Sequence, residues 1–181
     1  MRVVGGKWRG QPLRAPKGRA TRPTTDRNRE ALFSMLESRL DFDGLRFLDL
    51  FAGTGALGLE ALSRGAAFAL FVENDAAARG AIRDNVERLN ATGSSKIFRR
   101  DATKLGDCQG APYDLVFADP PYGQGLAEQA LAALLAGKWV RATALIVVEE
   151  DKRADFCAPQ GFHEIKRREK GDTELIFLTI A

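Results

Sequence analysis

The sequence predicts an α/β protein built on a doubly wound, mostly parallel sheet that ends in an antiparallel C-terminal hairpin. Three observations carry this. Short, largely apolar runs at residues 45–50, 68–72, 113–117 and 144–148, the second and fourth of them unbroken, alternate with segments of helical period, as strands buried on both faces do. A glycine-rich turn, Gly53-Thr54-Gly55-Ala56-Leu57-Gly58, stands between the first of these strands and the helix after it. Lys170-Gly171-Asp172 joins two strand-like runs near the C-terminus, a hairpin signal.

Taken in order, residues 2–4 and 11–14 are expected to pair as a small N-terminal β-hairpin extension around Gly5-Gly6 and Gly10. Thr24-Thr25-Asp26 offers N-cap oxygens to a helix running to about residue 39, with Ala31, Leu32, Met35 and Leu36 inward. A strand at 45–50, a helix at 57–64, a strand at 68–72 and a helix at 75–89 follow, the last with Ile82, Val86 and Leu89 inward. Strands at 96–99 and 114–117, a helix at 128–135 and a strand at 144–148 lead to the hairpin of 162–169 and 173–179. Composition divides the chain into a basic arm, residues 1–25, and a main domain, residues 26–181.

The chain has 181 residues, 45% of them apolar and 28% charged, which fits one globular, cytoplasmic unit, with a monomer as the default. No apolar run approaches the roughly 20 residues needed to span a bilayer, so no membrane partner is expected. Met1-Arg2-Val3-Val4-Gly5-Gly6 lacks the apolar stretch of a signal peptide. Cys108 and Cys157 are too few and too far apart for a disulfide framework or a zinc site, so no metal is expected. His163 is the single histidine and lies in the C-terminal hairpin, which argues against a histidine base. It reads as a surface or satisfied core residue.

The net charge of +3 is unevenly spread. Residues 1–29 hold nine basic side chains against Asp26 alone, a balance of +8, and the remainder carries −5. Such an arm is an electrostatic footprint for a polyanion. Trp8, Leu13 and the glycines among the charges favour a small folded flap over a solvated tail. Lys7, Arg9, Arg22, Thr24, Arg27 and Arg29 are the candidate nucleic-acid contacts.

The glycine turn follows a strand and opens a helix, and Glu73 ends the next strand 20 residues after Gly53. This spacing suits an adenosine-bearing cofactor, with glycines admitting the ligand and the carboxylate holding ribose hydroxyls. Asp49, just before the turn, would repel a pyrophosphate but can hold the ammonium of a methionine moiety, which favours S-adenosylmethionine (SAM) over NAD. Asp101, beyond the third strand, can accept from an adenine amino group. The cofactor set is Asp49, Phe51, Gly53, Gly55, Glu73, Asn74, Asp101, Ala102 and Asp119.

Asp119-Pro120-Pro121-Tyr122-Gly123 leaves the strand at 114–117 as a stiff, flat-walled polar corner suited to a planar base amine. Such an amine is a poor nucleophile because its lone pair is delocalised into the ring. The Asp119 carboxylate and the Pro120 carbonyl, each accepting one N–H, would turn that lone pair toward a methyl group and strengthen as positive charge develops. Tyr122 would stack on the base, Pro121 would stiffen the platform and Gly123 would leave room for the ring. Asp119, Pro120, Pro121 and Tyr122 are therefore the candidate catalytic residues.

With those motifs in place, Asp49 to Gly55, Glu73, Asp101 and Asp119 to Tyr122 resemble the class I SAM-dependent N-methyltransferases, a Rossmann-like fold. Arg2-Val3-Val4-Gly5-Gly6, Trp8-Arg9-Gly10, Arg22-Pro23-Thr24-Thr25-Asp26-Arg27 and Arg29-Glu30-Ala31-Leu32-Phe33 are more specifically similar to the RsmD-type enzymes, over nearly the whole chain. Asn28 departs from that pattern, where the family more often has an aliphatic or other residue. The resemblance implies methylation of a guanine N2 amine in bacterial 16S rRNA, within a small ribosomal subunit or an assembly intermediate, with the N-terminal hairpin helping to hold RNA. Asp-Pro-Pro-Tyr alone does not choose among guanine, adenine and cytosine. A DNA adenine-N6 methyltransferase is the nearest alternative, though little sequence is left over for reading DNA. A non-catalytic RNA-binding ribosome assembly factor is the alternative from another class. A protein glutamine methyltransferase would more naturally carry Asn at position 119.

Overall fold

The structure, a computed structural model, describes residues 1–16 and 24–181. Among these, seven strands form one sheet: β1 (Arg46–Leu50), β2 (Phe68–Val72), β3 (Ser95–Phe98), β4 (Tyr113–Ala118), β5 (Val140–Asp151), β6 (Phe162–Lys170) and β7 (Thr173–Ile180). Their order is β3-β2-β1-β4-β5-β7-β6. The first five run parallel, and β7 inserts antiparallel between β5 and β6. Helices α1 (Asp26–Glu37), α2 (Ala56–Ser63), α3 (Ala76–Arg88) and α4 (Leu126–Ala136) cover the sheet. This is the Rossmann-like arrangement of class I methyltransferases, with the antiparallel hairpin at the C-terminal edge.

Side chains alternate across each strand and so build two cores. Phe47, Phe71, Phe117, Val147 and Phe177 pack on one face with residues of α1, α2 and α3. Leu48, Leu50, Val116, Ile146 and Ile176 pack on the other with Leu131 and Leu134 of α4 and with Trp139. Burial on both faces is the reason these strands read as largely apolar runs.

Local signals place the helix ends. The Thr25 hydroxyl accepts from the Asn28 N–H at 3.2 Å, and Asp75 Oδ1 accepts from the Ala78 N–H at 2.9 Å, each capping its helix. The expected inward face of α1 is corrected. Ala31 is exposed, and the buried stripe is Arg29, Leu32, Phe33 and Leu36. The spacing 29, 32, 33, 36 is that of one helical face, with a guanidinium occupying its first position.

Two strand expectations also change. β5 begins and ends beyond 144–148, with a register irregularity against β4 that leaves Arg141, Ala142 and Thr143 exposed. Its far end stays in the ladder because Glu149, Glu150 and Asp151 pair with Leu175, Glu174 and Thr173. The N-terminal hairpin is reduced to a single antiparallel bridge, Arg2 with Pro12, closed by Val3 N–H to Gln11 O at 2.9 Å and Gly10 N–H to Val3 O at 2.8 Å. Pro12 has no N–H to extend the ladder, and residues Gly6–Trp8 form a short 3-10 turn.

The arm is joined to the body by side chains from the helices. Glu60 of α2 accepts the N–H groups of Val4 and Gly5 at 2.9 and 2.8 Å. Ser63 Oγ accepts from the Trp8 N–H at 2.9 Å and donates to the Gly5 carbonyl at 2.6 Å. A Cβ at Gly6 would lie 2.0 Å from the Ser63 carbonyl oxygen, so only glycine permits this approach. Val3 and Leu13 enter the core beside α1. Residues 1–16 thus share the packing of the main domain.

Candidate active site

Strand order reverses between β1 and β4, because β2 and β3 lie to one side of β1 and β4 to the other. The crevice beyond the carboxyl ends of two such strands is where doubly wound sheets hold ligands. Register pairs Asp49 with Phe117 and Leu50 with Ala118, so Asp119 follows directly beside the end of β1. A cavity of about 160 Å³ opens there, lined in part by Thr24, Asp49, Phe51, Gly53 and Asp119.

The glycine turn is shaped by its neighbours. Gly55 is the left-handed N-cap of α2, at φ 76°. A Cβ on Gly58 would sit 2.4 Å from the Phe71 ring, so glycine is required for α2 to rest on β2. Phe51 holds φ 60°, a conformation costing a non-glycine residue roughly 1–2 kcal/mol, and it does so on the cavity wall.

Asp49 is buried, and its carboxylate accepts the Gly58 N–H at 3.2 Å. Burial pushes it well above the usual carboxylate range against that hydrogen bond, and the charges of Asp119 and Glu73 push it further. Glu73 accepts the Gly53 N–H and the Asp75 N–H at 2.8 Å each, stitching the ends of β1 and β2 together. Two of its four lone-pair positions remain. Asp101 takes the Thr103 hydroxyl at 2.7 Å and the Thr103 N–H at 2.9 Å on one oxygen, and these bonds hold its carboxyl below the usual range. Ala102 beside it is buried, and Asn74 is exposed, its carbonyl accepting from Arg79 at 2.7 Å.

At the second half of the site Pro120 is buried, Pro121 exposed and Tyr122 half-buried. Burial raises Asp119 to about 7, with Glu149 the largest like charge acting on it, and the Tyr122 hydroxyl and Lys170 opposing. The Tyr122 hydroxyl lies 3.4 Å from Glu149 Oε1, and burial raises its proton affinity. Gly123 N–H donates to Glu150 Oε1 at 3.0 Å. The end of β5 therefore grips this loop at two successive residues. Glu149 and Glu150 are functional-site residues absent from the expected set, although two acids directly after the unbroken apolar run 144–148 are a usable signal.

Among the expected nucleic-acid contacts, Lys7, Arg9 and Arg27 are exposed, with Lys7 Nζ 4.4 Å from the centre of the Trp8 ring. Thr24 is half-buried, and Arg22 lies outside the described residues. Arg29 is a correction. Its side chain is 1% exposed, pairs with Asp26 at 2.8 Å and Glu60 at 4.0 Å, and donates to the Arg2 and Thr24 carbonyls. A guanidinium so enclosed is unavailable to a phosphate, because withdrawing it would leave Glu60 buried and uncompensated. His163 is exposed on β6.

Comparison with known proteins agrees with this layout. The family described as conserved hypothetical protein 95 matches residues 1–179. The chain is 41% identical over 151 residues to ribosomal RNA small subunit methyltransferase D of Escherichia coli, covering 83% of this chain and 75% of that protein. It is 34% identical over 174 residues to the protein of the same name from Haemophilus influenzae, covering 94% and 89%. The solved structure of yhhF from Escherichia coli superposes with a TM-score of 0.85 at 33% identity, over 99% of this chain and 97% of that one. A switch-point crevice edged by Asp49 and Asp119, in a chain matched almost end to end, places this protein in the conserved hypothetical protein 95 family of RsmD-type class I methyltransferases.

Proposed function

We propose that the protein transfers a methyl group from SAM to the exocyclic N2 amine of a guanine in bacterial 16S rRNA, acting in the cytoplasm as a monomer on a small ribosomal subunit or an assembly intermediate. The observation that carries this reading is the placement of Asp119-Pro120-Pro121-Tyr122 at the end of β4, beside the glycine turn that leaves β1. The names of the relatives supply rRNA as the substrate class.

The residues present fit SAM. Asp49 is a buried carboxylate with no cation among the charges of the described residues acting on it, so a ligand ammonium would offset its burial. Gly53 has open space where a Cβ would stand. Asp49, Phe51, Gly53 and Gly55 would hold the methionine end, Glu73 and Asn74 the ribose, and Asp101 and Ala102 the adenine. Bound SAM supplies a methyl group activated on a sulfonium.

The chain's own residues orient the acceptor. Asp119 and the Pro120 carbonyl each accept one N–H of the base amine, bonds that strengthen as the nitrogen becomes positive. Tyr122 presents a ring for stacking, and Pro121 restrains the loop. Asp119 can then take the surplus amine proton. The exposed side chains of Lys7, Arg9 and Arg27 would meet phosphates, and Arg22 and Thr24 complete the proposed RNA-binding set.

The test is transfer of labelled methyl from SAM to small subunits lacking the modification, beside naked rRNA and duplex DNA, followed by nucleoside analysis. N2-methylguanosine in the ribosomal substrate is expected. Label in DNA adenine, or no transfer despite SAM binding, overturns the substrate.

A further inference from the structure

The charges of Glu149 and Lys170 act on Asp119, and the step above uses neither side chain. Glu149 is 5% exposed, and three polar groups crowd its Oε1: Lys170 Nζ at 3.1 Å, the Tyr122 hydroxyl at 3.4 Å and Thr173 Oγ1 at 3.2 Å, whose one proton is also within reach of the Lys170 carbonyl at 3.1 Å. None of the three is on Oε2. Its neighbour Glu150 has a different task, accepting the backbone N–H groups of Gly123 and Asp151 at 3.0 and 2.8 Å. A buried carboxylate against the substrate loop, with one oxygen held and one left over, is more than a surface charge.

The order of donors and acceptors matters. Along its pairing edge guanine presents O6, N1–H and the N2 amine: an acceptor, then a donor, then a donor. Lys170, Glu149 and Asp119 offer an ammonium, a carboxylate and a carboxylate: a donor, then an acceptor, then an acceptor. That complements guanine. Adenine and cytosine each carry a ring acceptor next to the amine, which would face a carboxylate, and uracil has no amine.

We propose that Glu149 is a specificity-determining residue that accepts the N1–H of the target guanine, with Lys170 donating to O6 while Asp119 holds the N2 amine. This rests on the guanine reading above. Glu149 also orients Tyr122, so the test must separate recognition from positioning.

The probe is 2-aminopurine, which keeps the reacting amine but has a bare acceptor at N1 and no O6. Small subunits are reconstituted with rRNA carrying guanine or 2-aminopurine at the methylated position, and kcat/KM is measured for each. Wild-type enzyme is expected to prefer guanine by about 10- to 100-fold, the range for hydrogen bonds to charged groups. Glu149→Gln, whose amide can offer an N–H to a bare N1, is expected to slow guanine transfer and narrow that preference about tenfold, with SAM affinity unchanged. Lys170→Met, at the rim of the hairpin, provides an independent arm and should also narrow the preference. Equal wild-type rates on the two bases overturn the proposal while leaving methylation of the N2 amine standing. A uniform loss on both bases in the two variants also overturns it, since positioning alone would produce that. Inactivity of wild type on guanine particles removes the substrate reading and this one with it.

Discussion

The Asn85 side chain meets the backbone of Arg14 twice, accepting its N–H on Oδ1 at 2.7 Å and donating Nδ2 to its carbonyl at 2.9 Å. Asn85 is fully buried in α3, and Nδ2 also donates to the Thr54 carbonyl at 3.0 Å. One amide therefore ties the arm, the glycine turn and α3 together.

Asn85→Ala should consequently cost about 2–4 kcal/mol of stability, since it leaves backbone groups of Arg14 and Thr54 without partners. A thermal melt should show a fall of roughly 5–15 °C. SAM affinity, measured by calorimetry on the folded fraction, should also fall through the loosened turn. Unchanged affinity with lost stability would confine Asn85 to holding the arm.

Arg27 and Arg29 should separate cleanly, although two positions apart. Arg29→Gln breaks a buried charge cluster and should destabilise by about 3–5 kcal/mol in urea unfolding. Arg27 is exposed, and Arg27→Gln should leave the urea midpoint within error. With Lys7→Gln and Arg9→Gln added, RNA affinity should drop and the slope of log K against log salt should become shallower by about 0.7–0.9 for each phosphate no longer neutralised. An unchanged slope would exclude these three as phosphate-binding residues.

Asp119 makes the free protein sensitive to pH. Its folded value, about 7, lies above the ordinary 3.8, so the stability linked to its protonated form is full below 3.8 and is lost as pH rises through about 7. Urea midpoints of wild type should decline across that window, and Asp119→Asn should flatten the decline. The same ionisation should appear in kcat/KM, rising with pH through about 7 as the carboxylate forms to accept the amine N–H. Asp119→Ala should lower transfer by about 10²–10³-fold while RNA binding persists.

Gly58→Ala tests the seat of α2. Its methyl would overlap the Phe71 ring at 2.4 Å, so a loss of about 1–3 kcal/mol is expected from forced repacking. The shift would also move the Gly58 N–H that Asp49 accepts, and SAM affinity should fall with it. Gly80→Ala, where a Cβ would meet nothing within 4 Å, is the control and should retain both.

What the sequence determined by itself was local and repetitive. Largely apolar runs broken by turns marked the central strands, because burial on both faces leaves little room for polar alternation, whereas the exposed β6 was marked by the turn that follows it. Asp49, the glycine turn, Glu73 and Asp119 were legible because each lies at the end of a strand, and parallel strands bring such positions to one edge. The destination of charge was decided only by tertiary structure. Arg27 and Arg29 look alike in a basic N-terminal stretch, yet two positions along α1 send one to solvent and the other against Glu60, 31 positions away. Glu149 drew no expectation from the sequence, and it is pairing with β7 that carries the strand past residue 148 and sets its carboxylate beside Tyr122 and Lys170. A charged residue has the same letter whether solvated or buried, and only partners distant in sequence can compensate it where water is excluded.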